Sequence, residues 1–222
     1  MNQIKMNILN NRVLFLIFIS GFLISCNHEK TGYYPDGTLK SVQQYKGKKQ
    51  EGTSTWYFEN GSKQLEAIYQ DDKLNGKSIR WYFNGEKESE DNYKNGLRNG
   101  VSITWNTSRI KLEERTYRND TLDGPYKMFH ENGILKIEGL YKSGLYHGKW
   151  TYYNEFGFRI GDGNYTLGKG IQRAYHQNGR LWMEIPYSGN KRNGSGREFN
   201  NQGELIKESV FKNDALVSTK LH

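Results

Sequence analysis

The stretch Tyr141-Lys142-Ser143-Gly144-Leu145-Tyr146-His147-Gly148-Lys149-Trp150-Thr151-Tyr152-Tyr153-Asn154-Glu155-Phe156-Gly157 decides the fold. It joins a two-residue turn, Ser143-Gly144, to a strand-forming run, Trp150 to Tyr153, and then to a second turn ending at Gly157. β-Favouring residues bounded by Gly-containing turns read as one arm of a hairpin. The layout repeats outward in both directions. Gly52, Gly76, Gly100, Gly124 and Gly148 recur every 24 residues, the next step to Gly170 is 22, and Gly194 restores the 24. Five residues after these glycines stand Tyr57, Trp81, Trp105, Phe129, Tyr153, Tyr175 and Phe199. Nine residues after them comes a second Gly, with Arg109 as the one exception. Seventeen residues after them stand Tyr69, Tyr93, Tyr117, Tyr141, Tyr165, Tyr187 and Phe211, with Tyr45 one repeat earlier.

This pattern predicts an all-β fold: an elongated, single-layer antiparallel meander of about eight hairpin repeats and roughly sixteen short strands. Composition agrees. Hydrophobic residues make up only 35% of the 222, which is too few for a helical bundle, while 14% aromatics is too many for a disordered chain. An acidic column, Glu66, Glu90, Glu114, Glu138, Asp162, Glu184 and Glu208, lies three residues before the Tyr column. That odd offset places it on the opposite face of the sheet, where it is expected to pair with Lys and Arg and not to catalyse. The step of 22 at Thr166 to Lys169 and the missing turn glycine at Arg109 read as neutral drift in turns, with a local change in sheet shape that breaks the ladder for a partner as the alternative. Pro186 removes a ladder donor and predicts an edge defect or a bulge in the strand before Tyr187.

Residues 1–25 read as a secretory leader: Lys5 and Arg12, then the apolar run Val13 to Ile24, too short to span a membrane. Leu23-Ile24-Ser25-Cys26 resembles a bacterial lipobox, and Cys26 is the only cysteine. The resemblance implies acylation of Cys26 and a lipid anchor in the bacterial cell envelope. With Asn27 and not Asp after the cysteine, it implies the outer membrane. The expected division is 1–25 leader, 26–30 tether, 31–215 repeat domain and 216–222 tail. Without Lys5 and Arg12 the net charge falls from +8 to +6, with no clustered stripe that would mark nucleic-acid binding.

The segments Tyr141 to Tyr153 and Tyr93-Lys94-Asn95-Gly96-Leu97-Arg98-Asn99-Gly100 resemble the MORN repeat. The fuller unit of Asn-Gly, Glu, Tyr, Gly, Gly and aromatic is similar to the bacterial variant in proteins named as a YwqK-type antitoxin family. The resemblance implies a hairpin-repeat scaffold that binds protein partners, and the family's name implies a toxin as one such partner.

Catalytic motifs fail. Asp71 to Ser78 ends like a phosphate-binding loop but lacks its first Gly. His130 and His176 share a column two repeats apart, roughly 19 Å, too far to share a metal. HExxH and GxSxG patterns do not occur. After Phe211 too few residues follow for a catalytic domain. The expected function is therefore non-enzymatic, without cofactor or metal: an envelope scaffold, with immunity to a toxin or glycan binding as alternatives. Trp150 and Trp182 fall outside the two aromatic columns, near the shortened repeat. With Tyr152 and Arg180 they are the expected contact residues, because Trp buries much area and keeps a polar donor.

Overall fold

The computed structural model describes residues 26–222, so the leader expected at 1–25 lies outside the described residues. Twenty strand segments, from Asn27–Tyr33 to Ala215–Leu221, form one sheet in which successive strands pair antiparallel. The expected all-β meander is what forms. Three pairs of segments, such as Lys49–Gln50 and Gly52–Tyr57, are single strands broken at one residue, which leaves seventeen strand courses. Two expected boundaries are corrected. Asn27 to Lys30 is not a tether: it opens the first strand, with Asn27 opposite Lys46 and Lys30 opposite Gln43. Residues 216–222 are not a tail, since Ala215–Leu221 pairs with Leu205–Lys212. In both places the flanking chain satisfies backbone donors and acceptors that a bare edge strand would leave open.

The two-residue turns line one edge of the sheet. Asp71-Asp72, Asn95-Gly96, Asn119-Asp120, Ser143-Gly144 and Leu167-Gly168 all have positive φ at both positions, the twist that matches tight hairpins. Each turn then bonds the repeat before it. The N–H groups of Asp72, Gly96, Asp120, Gly144 and Gly168 donate to the carbonyls of Gln50, Leu74, Arg98, Leu122 and Tyr146, at 2.7–3.1 Å. The turn edge is thus one continuous ladder.

Most strands leaving this edge carry a bulge at the repeat glycine. Tyr69 pairs with Leu74 but Ala67 pairs with Ser78, so two extra residues are accommodated around Gly76, at φ 128. Gly124 and Gly148 mark the same shift. In the shortened repeat, pairing runs unshifted from Thr166 opposite Lys169 to Gly161 opposite Ala174. The two residues missing there are the bulge. The same two-residue shift lies opposite Pro186, between Tyr187 opposite Arg192 and Glu184 opposite Arg197, and Asn193 donates to the Pro186 carbonyl at 2.9 Å. Glu51 and Asn99 make the same bond to Gln44 and Asn92, so this feature belongs to the repeat and not to the proline.

The core sits on the Tyr-column face. Toward the N-terminus it is lined by small buried residues, Ser54, Ala67, Ser78 and Ser102. Toward the C-terminus it becomes an aromatic cluster of Tyr126, Trp150 and Tyr165, with Tyr141, Tyr146, Tyr152 and Tyr187 packed against it. Size complementarity across strands explains the packing. Tyr126 stands opposite Gly139 and Trp150 opposite Gly163, so the large rings lie over bare backbone.

Candidate functional site

The other face carries the acidic column, and its chemistry is the expected ion pairing. Lys63 pairs with Glu66 at 2.5 Å, Lys87 with Glu90 at 2.9 Å, Lys111 with Glu114 at 2.9 Å, and Arg159 with Asp162. Lys77 and Lys87 hold the Glu90 carboxyl below the usual carboxylate range. The same cations lie over the next aromatic of the +5 column: Lys63 over Trp81, Lys87 over Trp105 and Arg159 over Tyr175, at 5.3–5.5 Å. Along this column the charges are regularly paired. Among the described residues no group of three or more His, Cys, Asp or Glu could hold a metal.

The longer turns line the opposite edge, and side chains there reach from one turn to the next. Asn84, Asn132 and Asn178 donate to carbonyls 23 residues on. His130 Nε2 stands 3.0 Å from the Tyr153 carbonyl and His176 Nε2 stands 2.9 Å from that of Phe199. Both histidines of the column are therefore tied to the next repeat. At Arg109 the turn survives without its glycine: Arg109 adopts φ 64 and its guanidinium grips Glu86 of the preceding turn at 2.5 Å. This ion pair accompanies a conformation that costs a non-Gly residue about 1–2 kcal/mol.

The regularity breaks between residues 154 and 180. The turn Asn154-Glu155-Phe156-Gly157-Phe158 has Asn154 in the histidine position and Phe156 in the asparagine position. The turn at 106–110 also sends neither bond forward, but only at 154–158 does this coincide with the shortened repeat. On the tight-turn edge, Asn190 reaches over Gly168 to bond two repeats back. Its side chain accepts from Tyr146 N–H at 2.7 Å and donates to the Gly144 carbonyl at 2.9 Å. On the opposite edge a cleft of about 830 Å³ lies between the turns at 154–158 and 176–180, lined by Phe156, Phe158, Ile160, Tyr175, His176 and Arg159. Phe156 is 71% and Phe158 70% exposed.

The four expected contact residues do not come together. Trp150 is 3% exposed and forms the centre of the aromatic cluster, with its indole N–H donating to the Leu140 carbonyl at 3.1 Å. Tyr152 packs beside it. Trp150 is thus a packing residue and presents no surface. Arg180 is turned onto the next turn, donating to the carbonyls of Asn201 and Gln202 at 3.0 and 3.1 Å. Trp182 lies on the acidic-column face, 43% exposed, its ring 6.3 Å from His176 at the cleft. The Trp residues separate because Trp150 pairs one residue from Asp162's partner Thr151, whereas Trp182 stands two residues from Glu184. Phe156 and Phe158 were missed by the sequence reading, although Phe156 stands in a column that holds Asn60, Asn84, Asn132 and Asn178.

Residues 29–46, 50–71, 74–95, 122–143 and 169–188 match the family model described as the MORN repeat variant. With the hairpin geometry above, these matches show that the chain carries repeats similar to the MORN repeat variant, a class of repeats that generally serves interaction. No curated protein matches the chain. The hairpins at 97–121 and 144–168 keep the repeat's geometry outside the matched segments. The second of these carries Trp150, Phe156 and Phe158.

Proposed function

We propose that this protein is a non-enzymatic scaffold of the bacterial cell envelope, anchored through an acylated Cys26, that holds a protein partner at the cleft between residues 154 and 180. The observation that carries the reading is the exposure of Phe156 and Phe158 in the turn that lines the cleft, with Trp182 exposed beside His176 of the same cleft. Aromatic side chains beside a concave, partly polar cleft are the usual anchors of a protein interface. Cys26 is exposed at the start of the first strand, open to modification.

Two measurements test it. Metabolic labelling with an alkyne fatty acid should mark the wild type and not Cys26→Ser. A partner captured from envelope extract should be lost by Phe156→Ser/Phe158→Ser at unchanged melting temperature, and kept by Phe83→Ser, another exposed turn residue, outside the cleft. Loss in all variants, or in none, rejects the cleft as the contact site. A secreted toxin is one partner of the required kind.

A further inference from the structure

Along the edge of longer turns, carbonyls are placed to receive side chains from the turn before. Tyr34, Tyr82, His130 and His176 reach the carbonyls of Tyr57, Trp105, Tyr153 and Phe199. Asn60, Asn84, Asn132 and Asn178 reach those of Phe83, Thr107, Glu155 and Asn201. Across the shortened repeat the corresponding carbonyls belong to Tyr175 and Gln177, and the turn at 154–158 sends them no donor. Asn154 curls back and accepts from the N–H groups of Phe156 and Phe158, both at 3.0 Å, and Phe156 has no polar atom to offer. Tyr175 and Gln177 both line the cleft. The cations beside it are engaged: Arg159 holds Asp162 and lies 5.5 Å over Tyr175, and Arg180 donates to the next turn. Glu155, next to Phe156, is exposed and forms no ion pair among the described residues. Elsewhere the fold lays guanidinium groups on aromatic rings, Arg98 over Tyr117 at 4.1 Å and Arg192 over Phe211 at 4.6 Å. Phe156 and Phe158 are exposed, and no cation of the described residues covers them.

We propose that the protein segment seated in this cleft is anchored by an arginine side chain, its guanidinium stacked on the exposed phenylalanines and donating toward the Tyr175 and Gln177 carbonyls, with Glu155 as its counter-charge. The inference rests on the cleft as the contact site of the proposed function and names the chemistry that the cleft recognises. Aromatic faces, carbonyl oxygens and a free carboxylate all present negative potential, and the one charged cation that lines the cleft is already paired. An acidic anchor is therefore repelled. An aliphatic anchor would cover the rings and leave the carbonyls without donors. Lysine is a compact, strongly hydrated charge, whereas the planar guanidinium of arginine stacks and donates at once.

The probe is the capped peptide acetyl-Gly-Arg-Gly-amide, titrated into the protein while the amide signals of His176 and Gly179 are followed by NMR. Saturable shifts are expected. The lysine peptide, and a citrulline peptide that keeps the planar donors without the charge, should bind about fivefold more weakly or less. Phe156→Leu/Phe158→Leu keeps the apolar cover but removes both aromatic faces. It should weaken binding on the order of tenfold, about two- to fivefold per ring. Glu155→Gln should weaken it by about two- to fivefold, and Glu131→Gln, the same exposed position one turn earlier, should not. Asn154→His/Phe156→Asn restores the column, so its own side chains should take the two carbonyls. Peptide binding should then be lost with the melting temperature kept or raised. Equal binding of the three peptides, unchanged binding by the restored column, or no saturable binding overturns the proposal. A captured partner that Phe156→Ser/Phe158→Ser loses but the arginine peptide does not displace keeps the cleft as the contact site and rejects arginine as its anchor. Peptide binding without any partner lost by that variant rejects the contact site and leaves the arginine pocket standing.

Discussion

At Gly139 an added Cβ would stand 2.2 Å from the Trp150 ring, and at Gly163 one would stand 2.4 Å from the Tyr165 ring. Neither glycine has positive φ, so their role is to leave room. Gly139→Ala should lower stability in urea by about 1–3 kcal/mol, the usual cost of overpacking. Combined with Trp150→Leu, it should cost clearly less than the sum of the two single changes. Strict additivity would show that the ring does not press on that backbone. Burial pushes the hydroxyls of Tyr126 and Tyr152 up to about 12, and raises those of Tyr141 and Tyr165 as well. In the unfolded chain a Tyr titrates near 10. Above that pH the native state holds more protons than the unfolded one, so stability is full below about pH 10 and falls as pH rises toward 12. Unfolding midpoints measured across this window should drop, with Trp fluorescence reporting the loss of the cluster.

At the scale of the element, the shortened repeat does two jobs with one deletion. It removes the bulge at Gly170 and it lets Asn190 span Gly144 and Tyr146. Asn190→Ala leaves the half-buried Tyr146 N–H without its acceptor and should cost about 1–2 kcal/mol. Asp214 accepts from Arg192 N–H across a single repeat, and Asp214→Ala, on an exposed turn, should cost less. Equal costs would mean that the two-repeat bridge adds nothing beyond an ordinary turn contact.

Across the whole molecule each strand touches chiefly its neighbours, so stability is a sum along the sheet and need not be uniform. The aromatic cluster spans the hairpins from Tyr126 to Tyr187, while the face nearer the N-terminus is filled by Ser54, Ala67, Ser78 and Ser102. Native-state hydrogen exchange should therefore be slowest in strands Thr121–Phe129, Leu145–Tyr153 and Arg159–Thr166. It should be faster by one or more decades in Leu39–Lys46 and Lys63–Gln70, since each 1.4 kcal/mol of opening free energy is about tenfold. Uniform protection would show that the sheet unfolds as one cooperative unit.

The repeating glycines, the two aromatic columns and the Asn-Gly turns determined the fold by themselves, because hairpin turns and period-two strands are local physics. The sequence also determined the pairing of the acidic column, since an offset of three from the Tyr column fixes the face. The first and last strands were not legible: Asn27 to Lys30 and residues 216–222 lack the repeat pattern and are strands because a neighbour supplies their backbone partners. Trp150 and Trp182 looked alike as departures from the repeat, yet one is buried and the other is at the cleft. Only the tertiary structure decided that, because whether a ring is covered depends on the bare backbone of Gly139 and Gly163 on the flanking strands. The cleft itself was equally a product of the whole sheet. Its lining comes from two successive turns, Phe156 and Phe158 on one and His176 to Gly179 on the next, which stand side by side only in the folded sheet.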